Sequence, residues 1–145
     1  MKTIYTARTK STGGRKGHSE SIDNGPIDQS LSVPKEMGGD GGDGANPEQF
    51  FGAAYSACFG GAVELTAGKH NVDIGEDFFV EAHVSIGKDE EDRGLILSVV
   101  LDTYLPKVQD RDLGEKIINK AHEVCPFSRA TRDNIDITLN LLLDE

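Results

Sequence analysis

Apolar and polar residues alternate most plainly over 80–86, where Glu81, His83 and Ser85 separate Val80, Ala82, Val84 and Ile86. That two-residue period predicts a strand with one buried face. Leu95, Leu97, Val99 and Leu101 repeat the pattern beyond the loop 87–94, so the two strands are expected to form a hairpin. Between Asp110 and Val124 the period lengthens. Leu113, Ile117, Ala121 and Val124 recur three or four positions apart, an amphipathic helix stopped by Pro126. Ile135, Ile137, Leu139, Leu141 and Leu143 predict a closing strand.

The first half is less regular. Thr3 to Thr9 reads as a strand stopped by Gly13-Gly14, with further strands over Ser19–Asp23 and Gln29–Val33. Asn24-Gly25-Pro26 supplies the turn between them, and the glycine-rich run 38–44 is loop. A helix then begins, with Asn46 as cap, Pro47 at the first position and Glu48 in the first turn. Phe50, Ala54, Cys58, Ala62 and Leu65 mark one apolar face, and Phe51, Tyr55, Phe59 and Val63 mark another. A helix apolar nearly all round is expected to be buried. Its many small residues, Gly60 and Gly61 among them, would let another backbone approach, and Gly68 is the expected stop. Three strands, a helix, two strands, a helix and a strand indicate an α+β fold with a mainly antiparallel sheet and two main helices. No repeat or linker interrupts it, so residues 1–145 are expected to form a single domain.

Charge narrows the partners. Fifteen Lys and Arg against 25 Asp and Glu leave a net charge of −10. Phosphate recognition needs a concentrated basic face, so neither nucleic acid nor an anionic membrane is an expected partner. No apolar run is long enough to span a bilayer, and the first residues lack the apolar middle of a secretory signal. The 2 cysteines form no disulfide framework and no C-x-x-C. A cytoplasmic protein with thiols is expected.

Several motifs dissolve on inspection. Residues 39–44 spell G-x-G-x-x-G, but the acid about twenty positions on, Glu64, falls on a helix rather than at the end of a second strand. Asp40 and Asp43 lack the later glutamate of a calcium loop. His122, Cys125 and Cys58 could be metal ligands, but they include no tight pair, so no metal is expected. His18, His70 and His83 read as surface or strand histidines. The cysteines are the better lead. Cys58 is central to an apolar helix and Cys125 ends the other, so helix packing could bring the thiols together. Arg15, after Gly13-Gly14, could turn a guanidinium inward. The competing reading makes both cysteines small core residues.

Gly-Gly-Arg at 13–15, Gly-Gly-Asp-Gly-Ala-Asn-Pro-Glu-Gln-Phe at 41–50, Tyr-Ser-Ala-Cys-Phe at 55–59 and Cys-Pro-Phe-Ser-Arg-Ala-Thr at 125–131 resemble the organic hydroperoxide resistance branch of the OsmC/Ohr family. The match spans the chain in order and spacing. The resemblance implies an intertwined homodimer with active sites at the subunit interface, working as a thiol peroxidase. It implies Cys58 as the peroxidatic and Cys125 as the resolving cysteine, with Arg15 and Glu48 as the orienting pair. It further implies organic hydroperoxides as substrates, no bound cofactor, and re-reduction by an external dithiol such as a lipoyl group. Phe127, Arg129 and Asp133 depart from it where the family usually has Tyr, Asn and Gly.

The chemistry is consistent with these roles. A helix C-terminus disfavours a thiolate at Cys125, whereas Cys58, inside its helix, needs a cation, for which Arg15 is the candidate. Lowering a thiol pKa from ~8.5 to ~6 raises its thiolate fraction ~30-fold, but weaker nucleophilicity returns ~10–20-fold. The larger contribution expected of Arg15 is stabilising charge on the peroxide oxygens, with Glu48 holding the guanidinium. Ten residues of helix separate Glu48 from Cys58, ~15 Å of rise. Either the helix breaks, near Gly52, or the Arg15–Glu48 pair serves a partner's thiol. A blander Glu48 would merely face the helix dipole. Phe50, Phe51, Tyr55, Phe59 and Phe127 are the candidate apolar lining for an alkyl or lipid hydroperoxide. The alternatives are a thiol–disulfide oxidoreductase or redox sensor using the same pair, and a non-catalytic dimer with structural cysteines.

Overall fold

A computed structural model describes residues 1–144. The chain divides into two compact units, Met1–Phe50 and the portion from Phe51 onward.

In the first unit, β1 (Thr9–Thr12), β2 (His18–Ser21) and β3 (Asp28–Ser30) form an antiparallel sheet in that order. Thr12 pairs with His18, and His18 with Ser30. The expected strand over Thr3–Thr9 is displaced to Thr9–Thr12. A strand needs a facing ladder, and β2 ends at Ser21, leaving Ile4 and Tyr5 at 100% and 77% exposure. β3 likewise stops before Leu31, which pairs instead with Ala45 in an isolated parallel bridge. One turn of 3-10 helix, Gly14–Lys16, joins β1 to β2. Gly17 closes that turn so tightly that a Cβ there would run into the Thr12 carbonyl oxygen.

Helix α1 (Pro47–Lys69) starts from a reciprocal cap. Asn46 Oδ1 accepts from the Gln49 amide at 2.9 Å, and Gln49 Oε1 accepts from the Asn46 amide at 3.1 Å. It runs unbroken past Gly52. Its buried residues are Tyr55, Phe59, Val63, Thr66 and Ala67, with Gly52, Gly60 and Ala62 beside them. Ala53, Ala54, Ala57, Gly61 and Leu65 are exposed, so the expectation of all-round burial does not hold within one chain. The outer face, made mostly of small residues, has little apolar area to gain from burial.

The second unit's sheet has the order β4 (Phe79–Lys88), β5 (Leu95–Tyr104), β6 (Asp136–Leu142). β4 and β5 form the expected antiparallel hairpin, with Val84 opposite Val99. β6 runs parallel to β5, with Leu101 opposite Leu139, because two helices intervene. The first, α2 (Arg111–Val124), is capped by Asp110, whose side chain accepts from the amides of Asp112 and Leu113. It lies so close to β6 that a Cβ on Gly114 would come within 2.6 Å of Leu141 Cδ2. Ile118 is buried, whereas Val124, expected on that face, is 40% exposed. Pro126 ends α2 but also opens a second helix, α3 (Pro126–Thr131), at the position where a missing N–H costs nothing. Tyr55, Phe59, Val99, Leu101, Leu105, Ile117, Ala121 and Cys125 form the core of this unit. Among the described residues, no helix is long and apolar enough to cross a membrane.

Candidate active site

The two thiols meet inside the second unit. Cys58 sits on α1 and Cys125 at the junction of α2 and α3, with their sulfurs 3.7 Å apart and unbonded. Cys125 is held on both sides, its amide donating to the Ala121 carbonyl and its carbonyl accepting from Arg129. It has no exposed surface, whereas Cys58 is partly open. An incoming molecule therefore reaches Cys58 first. Burial pushes the Cys58 thiol up and the neighbouring Cys125 adds to the rise, while a hydrogen bond from the Phe127 amide to its sulfur works the other way.

Arg15 and Glu48 meet in the first unit. Nη1 and Nη2 donate to the two carboxylate oxygens at 3.0 and 2.8 Å, the paired fork that only a guanidinium offers a carboxylate. The Glu48 side chain is 12% exposed. The hydrogen bond from Arg15 holds its carboxyl below the usual range, and Glu48 in turn raises Arg15. Glu48 thus has a specific partner in addition to its place in the first helical turn.

A family model for OsmC-like protein matches residues 39–140. The chain is 42% identical to the organic hydroperoxide resistance protein of Xanthomonas axonopodis pv. citri over 97% of its own length and 96% of that protein's. It superposes on the organic hydroperoxide resistance protein of Elizabethkingia anophelis with a TM-score of 0.90 and 42% identity, covering 99% of this chain and 100% of that one. For OhrB of Bacillus subtilis the TM-score is 0.85, again at 42% identity, with 97% and 100% covered. The chain belongs to the OsmC/Ohr family. Within it, the relatives place the chain in the organic hydroperoxide resistance branch.

Against this family background the five aromatic candidates separate. Phe51, Tyr55 and Phe127 form one cluster in the second unit, with ring centroids 6.0 Å apart for Phe51–Tyr55, 6.4 Å for Phe51–Phe127 and 5.9 Å for Tyr55–Phe127. Phe51 and Phe127 are half-buried, while Tyr55 and Phe59 have no exposed surface and belong to the core. Phe50 is half-buried in the first unit. Of the three departures, Asp133 holds a left-handed backbone with φ 61°, a conformation glycine adopts without strain. His122 turns Nδ1 to Ser128 Oγ at 2.9 Å, and Glu64 lies exposed on α1.

Sequence reasoning passed over three features. Gln49, the return half of the Asn46 cap, was legible as Asn-x-x-Gln ahead of an apolar run. The Phe127 amide at Cys58 was not, since a backbone donor leaves no residue signature. Neither was the group of hydroxyls around Tyr55, which joins residues 73 and 76 positions apart.

Proposed function

We propose that the protein is a thiol-dependent peroxidase that reduces organic hydroperoxides to alcohols through Cys58 and Cys125. The carrying observation is the thiol pair itself, 3.7 Å apart, with only Cys58 open to an incoming molecule. The Cys58 thiolate attacks the distal peroxide oxygen, the O–O bond breaks, and the alkoxide leaves as alcohol after taking a proton. Cys58 is then a sulfenic acid. Cys125 condenses with it, forming the S–S bond and releasing water. An external dithiol, a lipoyl group in our reading, returns two electrons and two protons to the pair. The half-buried Phe51 and Phe127 beside Tyr55 suit an alkyl or lipid chain better than hydrogen peroxide.

Arg15 stabilises the negative charge developing on the peroxide oxygens, and Glu48 keeps its guanidinium aligned. The unbroken α1 favours the arrangement in which the pair acts on Cys58 of the partner subunit in a homodimer. A cycle through free thiols suits a reducing compartment, and we assign the protein to the cytoplasm.

The test is rapid oxidation of the reduced protein by cumene and tert-butyl hydroperoxides, with hydrogen peroxide alongside. Organic peroxides reacting far faster, with Cys58→Ser inert, support the proposal. Equal, slow rates typical of a free thiol for all three would sink it.

A further inference from the structure

Four side chains around Cys125 form a hydrogen-bond chain whose protons fit in one direction only. His122 Nδ1 lies 2.9 Å from Ser128 Oγ, which lies 2.9 Å from the Tyr55 hydroxyl. That hydroxyl is 3.1 Å from Thr131 Oγ1, which is 3.1 Å from the Phe127 carbonyl oxygen. Tyr55, Ser128 and Thr131 are 0%, 0% and 6% exposed, so solvent cannot supply a missing proton.

The far end sets the direction. A carbonyl oxygen only accepts, and the other acceptor near Thr131, the Ser128 carbonyl, is of the same kind. Thr131 must spend its single proton there and accept from Tyr55. Tyr55 must then accept from Ser128, and Ser128 from His122. Reversing any link leaves two buried oxygens facing each other with no proton between them. The ring nitrogen Nδ1 must therefore carry hydrogen. Burial, followed by the charge of Arg132, holds the His122 imidazolium below its ordinary range, so the ring is neutral at neutral pH and has one proton to place.

We infer that His122 is the Nδ1–H tautomer and that, through Ser128, Tyr55 and Thr131, it is a positioning residue for the Cys58–Cys125 pair. Its place in the fold shows how. His122 is on the last turn of α2, three residues before Cys125, Ser128 and Thr131 are on α3 just after it, and Tyr55 is three residues before Cys58 on α1. The chain thus ties together the three helices that carry both sulfurs. Thr131 also holds the carbonyl of Phe127, the residue whose amide faces the Cys58 sulfur.

The kinetic role rests on the peroxidase reading. The step affected is attack of Cys125 sulfur on the Cys58 sulfenic acid, with the S–S bond forming, the S–O bond breaking and water leaving. Closing from 3.7 Å to a bond of ~2.05 Å tolerates little drift in the α2–α3 junction.

The first test is direct. Long-range proton–nitrogen correlation spectra of the reduced, nitrogen-15-labelled full chain at neutral pH report the tautomer. Nδ1–H is expected, and Nε2–H would overturn the assignment. The second test follows disulfide formation by rapid quenching and mass spectrometry. His122→Leu is expected to slow it about tenfold to a hundredfold, as misplacement by ~1 Å does. His122→Asn, whose amide can present an N–H near the same point, is expected to restore most of the rate. A wild-type rate in the leucine variant, or no rescue by asparagine, overturns the positioning role. Running the series with diamide, which takes two electrons and two protons from any adjacent thiol pair, keeps the two readings separable. If hydroperoxides fail in the wild type, the peroxidase reading falls while the diamide ranking still decides the role of His122.

Discussion

Cys58 and Cys125, 67 positions apart in sequence, present their sulfurs 3.7 Å from each other, and Cys58 alone is open to solvent. Burial distinguishes the two thiols without help from helix dipoles. In the peroxidase reading, Cys125→Ser should be oxidised once by cumene hydroperoxide, stop at the sulfenic acid and accept no second equivalent. Cys58→Ser should consume none. Trapping of sulfenic acid followed by intact mass checks both, and repeated turnover by Cys125→Ser would remove its resolving role.

Arg15 and Glu48 act as a fork, so their variants should not be equivalent. Removing one charge-stabilising donor from a reacting centre costs about 10²–10³ in rate, and in the peroxidase reading that is the loss expected for Arg15→Ala in the first oxidation step. Arg15→Lys keeps the charge but not the paired geometry and should recover little. Glu48→Gln leaves Arg15 charged but poorly held, with a smaller loss. Stopped-flow oxidation of the three variants gives the ranking, and an active lysine variant would show that charge alone suffices.

The pH dependence has a definite sign at both groups. Arg15 holds Glu48 below the usual carboxylate range, so the pair's contribution to stability is present above the unfolded value and lost only as pH falls through the depressed folded one. Cys58 behaves oppositely, since burial and Cys125 raise it and thiolate forms as pH rises. Without Arg15 the oxidation rate should keep climbing into alkaline pH, with an inflection above that of an ordinary cysteine. In the peroxidase reading, where Arg15 of one subunit serves Cys58 of its partner, wild type should inflect lower. Coincident pH profiles for wild type and Arg15→Ala would mean that Arg15 does not touch the thiolate.

Much of this was legible in the sequence because it rests on periodicity or on side-chain identity. The alternation over 80–86 and 95–101 gave the hairpin, and Pro126 gave the end of α2. The missed features depend on partners distant in sequence or on backbone atoms. The last ladder contact reaches Arg8, whose carbonyl accepts from the Ile22 amide, and, among the described residues, 3–7 have strand composition but no facing strand, a fact that no local window contains. The outer face of α1 is apolar by composition yet exposed, because its mostly small side chains offer little area to bury, and an apolar pattern does not weigh side-chain size. Pro126 both terminates α2 and opens α3, and a proline alone announces only the first of these roles.

Thr103 offers a test of core energetics apart from the site. It is 1% exposed on the core face of β5, and among the described residues its hydroxyl has no hydrogen-bond partner. Thr103→Val keeps the shape and removes the orphaned polar group, which should stabilise the fold by about 1 kcal/mol. Thermal unfolding should show a midpoint higher by about 3 °C for a domain of this size. A lower midpoint would mean that the hydroxyl is satisfied in solution.

In the peroxidase reading, Gly17 should matter to the reaction through the turn that carries Arg15. It closes the turn that carries Arg15, and a Cβ there would meet the Thr12 carbonyl oxygen and, at 2.9 Å, Gly13 Cα. Both obstacles are backbone, so neither can swing aside as a flexible side chain would. Gly17→Ala must therefore open the turn and draw Arg15 away from Glu48. Oxidation by organic hydroperoxide should fall nearly as far as in Arg15→Ala, and the double variant should lose little more, since both changes remove the same interaction. Diamide-driven pairing of Cys58 with Cys125 should be unaffected, because both thiols lie in the other unit. Full hydroperoxide reactivity in Gly17→Ala would show that the guanidinium does not need this turn to reach its working position.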